Sequence, residues 1–449
     1  MPSAQLTRRS ALSLTLLAAL SPLVAAKPAG AATAPAEPVD ALARAARPLR
    51  TTDPTGDLRD LRPLGAMVGD ATVVGLGEAT HGSHEFFTNK HRVFRYLVEE
   101  KGFTTFALEA NWSAGVRLDD YVVHGRGDAR RIMREEFQNS YRMWNNREYL
   151  GLIEWMRAYN TTHAKKLRFM GDDSAYAGPG LFDKVTGYVR AHRPALLPRF
   201  TELYRAQRPA PGTSTDSYMN DCLKRPLGER RAMADSAREA LGLLTRQRPA
   251  GGGEEFTWAV QHARAISQVA EMYTFDLDDP KGVADCMRFR DATMAANTAW
   301  WQEHTGRKVL LSAHNAHVSY VSDDPAQYPR VQGAFLRDRL GARYVNVRLT
   351  FGEGSFNVMR DGGPTRAVTL GPAAPGSNEH TLDKVPYHAY ALDMRTAPAA
   401  VRKWLAVARP TRNIGTDYPT PDYMTALGAG YDILVHLHRI RAADLLPPQ

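Results

Sequence analysis

Hydrophobic residues in this chain follow two alternating rhythms. Short apolar runs at residues 71–76, 103–108 and 167–170 have the length of buried strands. Between and after them, apolar positions recur at helical spacing over residues 83–100, 113–123 and 147–160. Strands separated by helices predict a mostly parallel sheet with helices packed on its faces. From about residue 181 to 305 the pattern is helical. Ala232, Met233, Ala237, Leu241 and Leu244 form one stripe, and Phe256, Val260, Ala263, Ile266 and Tyr273 form another beyond the break Gly251-Gly252-Gly253. Strand-like runs resume at 308–313 and 344–350, with two more expected around 388–392 and 432–436. The pattern therefore predicts an α/β fold, a mostly parallel sheet core flanked by helices with a large helical insertion. Its parts are a core segment at 61–180, the insertion at 181–305 and the rest of the core at 306–449.

The ends of these runs carry the chemistry. The first stops at Gly77 and delivers Glu78 and His81 onto a turn, where Ser83 is placed to cap the next helix. The second ends in Glu109, the third in Asp172 and Asp173, and the run at 308–313 in His314 and His317. In open α/β sheets, ligands bind at the carboxyl ends of strands. Four strands are thus expected to bring acids and imidazoles to one edge.

Five segments resemble the erythromycin esterase family, hydrolases whose known members open macrolide lactone rings. They are GLGEATHGSHEFF at residues 75–87, FALEANW at 106–112, RDATMAANTAWW at 290–301, AHNAH at 313–317 and FGEGSF at 351–356. The resemblance runs from about residue 71 to 356. It implies an enzyme that acts on a carboxylic ester or a macrolide-type lactone, with antibiotic inactivation as one outcome. A fold and its motif do not fix the substrate within that class.

Residue chemistry suggests the roles. An imidazole titrates near neutral pH, so His81 can act as the base that draws a proton from water attacking an ester carbonyl. A lone turn histidine would be a local hydrogen-bonding group; the motif match favours the base. Glu78 or Glu109 can supply the carboxylate that orients it, Glu109 alternatively pairing with Arg117 or Arg290. His314 and His317 can donate hydrogen bonds to the substrate carbonyl or orient carboxylates. Arg290, Asp291 and Asn297 share a helix with the apolar Met287, Met294 and Trp301, which predicts a buried polar network under the site. Arg290 can offset clustered carboxylates there or touch substrate. Glu353 is an outer candidate, and His84 is read as surface or supporting.

No cofactor is expected. The glycines at 75 and 77 lack the third member of a dinucleotide fingerprint, and there is no GxSxG elbow and no HExxH pair. His81, Glu109, Asp172, His314 and His317 are nevertheless ligand types for zinc or manganese, so a divalent metal stays as an alternative. A non-hydrolytic cell-envelope protein using the same cleft to hold a ligand or metal is the rival from another class. The Glu78, His81, Glu109 set favours the enzyme, because a binder has no need of a base beside two carboxylates.

Charge and ends narrow the setting. The formal charge of +9 includes Arg8, Arg9 and Lys27, with no acid before residue 32, leaving 9 − 3 = +6 beyond residue 31. That mild excess is dispersed among acids, which excludes nucleic acid as the expected partner and leaves a small-molecule ester or lactone. Cys222 and Cys286 can pair or remain free thiols. Thr7-Arg8-Arg9-Ser10-Ala11-Leu12, the apolar run to Ala26 and Ala29-Gly30-Ala31 resemble a twin-arginine signal peptide over residues 1–31. The run is too short for a comfortable bilayer span, so no stable membrane anchor is expected. Residues 32–60 read as a lead-in, disordered to about residue 40, and the destination as secreted or cell envelope. Because the paired guanidinium groups are read by a receptor, Arg8→Lys with Arg9→Lys should trap unprocessed protein in the cytoplasm. Fractionation followed by immunoblotting checks this, and unchanged secretion would refute it.

Overall fold

The computed structural model describes residues 38–249, 252–359 and 363–448. The expected signal peptide lies outside the described residues. The strands are β1 (Arg47–Pro48), β2 (Val73–Leu76), β3 (Phe103–Asn111), β4 (Arg168–Asp173), β5 (Lys308–Ser312) and β6 (Tyr344–Val358). They continue with β7 (Arg366–Leu370), β8 (Ala389–Asp393), β9 (Arg409–Thr411), β10 (Tyr423–Thr425) and β11 (Ile433–Ile440). Nine of them form one sheet in the order β1-β8-β11-β6-β2-β5-β3-β4, with β7 paired to β6. All neighbours from β11 to β4 are parallel, while β1, β8 and β7 join antiparallel. The mostly parallel α/β fold and each of its seven expected strands are present.

Alternation explains the core. Along the central strands Val74, Leu76, Phe106, Leu108 and Leu310 enter one apolar cluster, while Val73, Ala107, Met170, Val309 and Leu311 enter another on the opposite face. A parallel sheet covered on both faces needs such continuous apolar runs. The helices from Pro179–His192 through Pro280–Thr305 fill the space between β4 and β5. Their Phe200, Tyr218, Ala237, Ala263 and Ile266 share a cluster with Ala107 and Val309, so this segment packs onto the sheet.

One detail differs from expectation, and one open alternative is decided. The stretch read as a lead-in is structured from Val39: the helix Val39–Ala45 buries Leu42, and β1 pairs with β8. Leu42 has an apolar cluster to enter, which short-range pattern does not reveal. Cys222 and Cys286 are both buried free thiols. Among the described residues no helix is long and apolar enough to cross a membrane.

The strand order places β2, β5, β3 and β4 side by side and parallel. Their carboxyl ends therefore bring Glu78 and His81, His314 and His317, Glu109 and Asp173 to one edge, while Asp172 bonds to Gln332 and Thr298.

Candidate active site

The turn after β2 is clamped by close backbone approach. A Cβ at Gly77 would lie 2.2 Å from Asn315 Oδ1, and one at Gly82 would lie 2.0 Å from the Asn357 carbonyl. Ser83 caps the helix His84–Lys101, accepting from the Phe86 N–H as its position predicted. His81 N–H donates to Gly415 O at 3.1 Å, and Ile414 N–H to Ala79 O at 2.6 Å, so Ile414 and Gly415 hold the turn from the other side.

A buried relay begins here. His81 Nδ1 lies 2.7 Å from Glu78 Oε1, and Lys90 Nζ lies 2.5 Å from Glu78 Oε2. Lys90 also donates to Ser312 Oγ at 2.9 Å and to the Ala313 carbonyl at 3.3 Å. Burial pulls its ammonium below the ordinary lysine value, opposed by Glu78 and Glu109. Since a carboxylate only accepts, His81 carries its proton on Nδ1 and keeps a lone pair on Nε2. His81 lines the cleft. Its ring packs between Trp144 and His314, at centroid distances of 5.0 and 5.1 Å.

A second network centres on Arg290, carried by the helix Pro280–Thr305. Its Nε and one terminal nitrogen grip Asp173 at 3.0 and 2.7 Å, and that terminal nitrogen also reaches Glu109 Oε1 at 3.2 Å. His317 lies between Asp291 Oδ1 at 2.7 Å and Glu109 Oε1 at 3.2 Å. Burial lowers its pKa, but the two carboxylates outweigh it and push the value up to about 10. Burial raises Glu109, yet His317 and Arg290 hold its carboxyl well below the usual range. Three carboxylates, Asp173, Glu109 and Asp291, thus face two cations, which lets Arg290 and His317 sit 3.2 Å apart.

His314 behaves differently. Burial above all, with the charges of His317 and Arg348, depresses its pKa well below the ordinary value, Glu109 opposing only in part, so the ring is neutral. Its Nδ1 accepts from Ala316 N–H at 3.4 Å, which assigns the proton to Nε2. That Nε2 is buried without a partner. Glu109 Oε2 fixes the residue by accepting its backbone N–H at 2.8 Å. His81, His314, Glu109, Arg290 and His317 all line one cleft of about 200 Å³, roofed by residues including Tyr328, Ile414 and Gly415. Glu78 stands behind His81.

Other candidates fall outside. Asp172 accepts from Gln332 and Thr298 rather than from the Arg290 network, and burial raises its pKa well above normal. Glu353 pairs with Arg439, Arg117 with Glu135 and Glu136, and His84 with Glu148. Among the described residues the one group of three with metal-ligand atoms close together is His84, Glu148 and Asp444, none of which lines the cleft.

A family model, "Erythromycin esterase", matches residues 98–440. The chain belongs to the erythromycin esterase family. As a member it is a hydrolase of the esterase type. The matched range covers Glu109, Arg290, His314 and His317 and begins after Glu78, His81 and Lys90. Among similar proteins is the erythromycin esterase type II of Escherichia coli, 24% identical over 317 residues, covering 66% of this chain and 73% of that protein. A solved Bacillus cereus protein shares 32% identity, covers 91% of this chain and 98% of its own, and superposes with a TM-score of 0.83. A structure described as a succinoglycan biosynthesis protein gives 32% identity, 93% and 100% coverage and a TM-score of 0.81. The open conformation of an EreC erythromycin esterase mutant shares the fold, with 17% identity, 90% and 99% coverage and a TM-score of 0.69.

Within this family member, sequence reasoning missed Lys90, Trp144 and Tyr141, the last lining the cleft with its hydroxyl donating to Asp173 at 2.9 Å. Lys90 was readable: it lies midway between Phe86 and Phe94 on a buried helical face, where an unpaired ammonium is too costly to stand. Tyr141 and Trp144 sit in the short 3-10 stretch Asn139–Trp144, which has no periodicity to read.

The relay and the cluster each generate a test. Lys90→Met should cost about 3–5 kcal/mol because Glu78 keeps a buried charge without its partner. Adding Glu78→Gln should restore most of that loss in urea unfolding, and additive losses would refute the pairing. For His317, a folded pKa of about 10 against about 6.5 unfolded means its stabilisation is complete below pH 6.5 and is lost as pH rises toward 10. Over that window wild-type stability should fall with pH more steeply than that of His317→Gln, by up to ~1.4 kcal/mol per pH unit. Parallel curves would mean that His317 is neutral in the folded protein.

Proposed function

We propose that this chain is an exported esterase or lactonase that hydrolyses a carboxylic ester, macrolide-type lactones included, through a water molecule activated by His81. The observation that carries this reading is the Lys90–Glu78–His81 relay opening into a cleft beside the unpartnered Nε2–H of His314. His81 Nε2 takes a proton from water as the water oxygen bonds to the carbonyl carbon, and Glu78 stabilises the imidazolium that forms. The carbonyl oxygen becomes an oxyanion, to which His314 Nε2–H donates. Collapse breaks the acyl carbon–oxygen bond, and the departing alkoxide receives the proton from His81. The products are a carboxylic acid and an alcohol, or one hydroxy acid from a lactone. No covalent enzyme intermediate forms.

In this reading Glu109, ionised and fully engaged, anchors His314 and balances the charge of Arg290 and His317. Arg290, through Nε and one terminal nitrogen, and His317, through both ring nitrogens, engage carboxylates, so they act by holding Glu109 in place. The cleft volume of about 200 Å³ lies below the roughly 300–1,000 Å³ of sites that enclose drug-sized ligands. A macrocycle would therefore insert its ester group while the rest lies outside. Export rests on the Arg8-Arg9 segment, and no metal takes part in the steps above.

Purified protein lacking residues 1–31 should turn over members of a panel of activated aryl esters and macrolides. In His81→Asn the folded protein should lose about 10²–10⁴-fold in rate, the usual worth of general-base assistance. Dialysis against a strong chelator should leave the wild-type rate unchanged. Inactivity toward every ester and lactone, or a near-normal rate in His81→Asn, would overturn the proposal; activity restored only by zinc or manganese would replace its water-activation step.

A further inference from the structure

A second cavity, of about 600 Å³ and sharing no lining residue with the catalytic cleft, opens among the helices Trp112–His124, Pro179–His192 and Glu254–Met272. Its volume lies within the range of sites that enclose small ligands. The floor is edge strand β4, and the walls are aromatic: Trp112, Tyr188, Trp258 and Trp301. Of the seven tryptophans in the chain, four gather here, Trp300 joining the other three with ring centroids 5.1–6.1 Å apart. Tyr188 and Trp258 are only half-buried.

Carboxylates outnumber fixed cations around the cavity: Asp119, Asp120, Glu254 and Glu255 face Arg168 and Lys184, and Glu254 lies against His304. Asp119 holds Arg168 at 2.6 Å, Asp120 holds Lys184 at 3.0 Å, and Glu255 meets His192 at 3.2 Å. One polar group stands apart. His262, 8% exposed, accepts the Trp112 indole N–H on Nδ1 at 3.1 Å, so its proton resides on Nε2. Burial lowers its pKa to about 3, which keeps it a neutral donor. Among the described residues no acceptor takes that N–H. Gly187 also lines the cavity, and a Cβ there would meet nothing within 4 Å. A glycine inside a helix costs about 1 kcal/mol relative to alanine, and no neighbour requires this one.

We propose that this cavity is a carbohydrate-binding site that takes a neutral pyranoside, its C–H face on the half-exposed rings of Trp258 and Tyr188, beside the Arg168 guanidinium that lies 5.6 Å from the Trp258 ring centre, and one oxygen accepting from His262 Nε2–H. The surplus of carboxylates disfavours an anionic ligand. Sugar hydroxyls, which both donate and accept, suit a rim of carboxylates and cations better than a purely apolar molecule does. The apolar faces of a pyranose match half-exposed aromatic rings.

The test titrates the full protein with maltose, cellobiose and lactose, following intrinsic tryptophan emission and calorimetric heat, with tetramethylammonium chloride as the cationic control. A saturable response to at least one sugar is expected, weakened about ten-fold or more by Trp258→Ala. Gly187→Leu, which favours the helix and fills the open space, should abolish it while circular dichroism stays unchanged. It also decides the matter if Trp258→Ala does not fold. Absence of any saturable sugar response, an equal response in Gly187→Leu, or saturation by tetramethylammonium alone would overturn the proposal. None of these outcomes depends on ester hydrolysis.

Discussion

A guanidinium withdrawn from water governs this site. Arg290 is buried, and its charge is sustained only because Asp173 at the end of β4 and Glu109 at the end of β3 both reach it. In turn Glu109 steadies the backbone of His314 and half of the charge cradle around His317. Removing any one member leaves an unpaired buried charge, which costs more than the pair ever contributed. Three strand ends and one helix are therefore fixed to each other by electrostatic necessity.

The two networks hold two histidines in opposite readiness. Lys90 and Glu78 leave His81 with a free lone pair, whereas burial and Ala316 leave His314 with a free proton. Their rings lie 5.1 Å apart. A proton acceptor and a proton donor side by side is the arrangement that hydrolytic attack on a carbonyl requires. His317, tightly held between Asp291 and Glu109, keeps a fixed charge instead.

Much of this was readable from residue order. Apolar runs located every strand of the parallel core, and the polar residues that end four of those runs do converge, because β2, β5, β3 and β4 are neighbours. Which partner each residue takes was not readable. Glu78 and Glu109 were equivalent candidates to orient His81 until the turn geometry put Glu78 at 2.7 Å. The small strands β1, β7, β9 and β10 escaped notice since each is defined by its partner rather than by its own pattern. The roof formed around Ile414 and Gly415 works through backbone hydrogen bonds, which side-chain identity does not announce.

The turn that bears His81 is also braced from far along the chain. Ala443 N–H donates to Gly82 O, His84 N–H donates to Arg441 O, and Ser83 and Ala442 form an antiparallel bridge. Arg441 and His84 are 357 positions apart. During synthesis the motif leaves the ribosome long before its brace exists, and β11, which leads into that brace, can pair with β6 and β8 only at a late stage. A nascent chain therefore carries Glu78, His81 and Glu109 through most of its growth without a finished cleft, because the brace on the His81 turn is complete only once residues up to 443 have emerged.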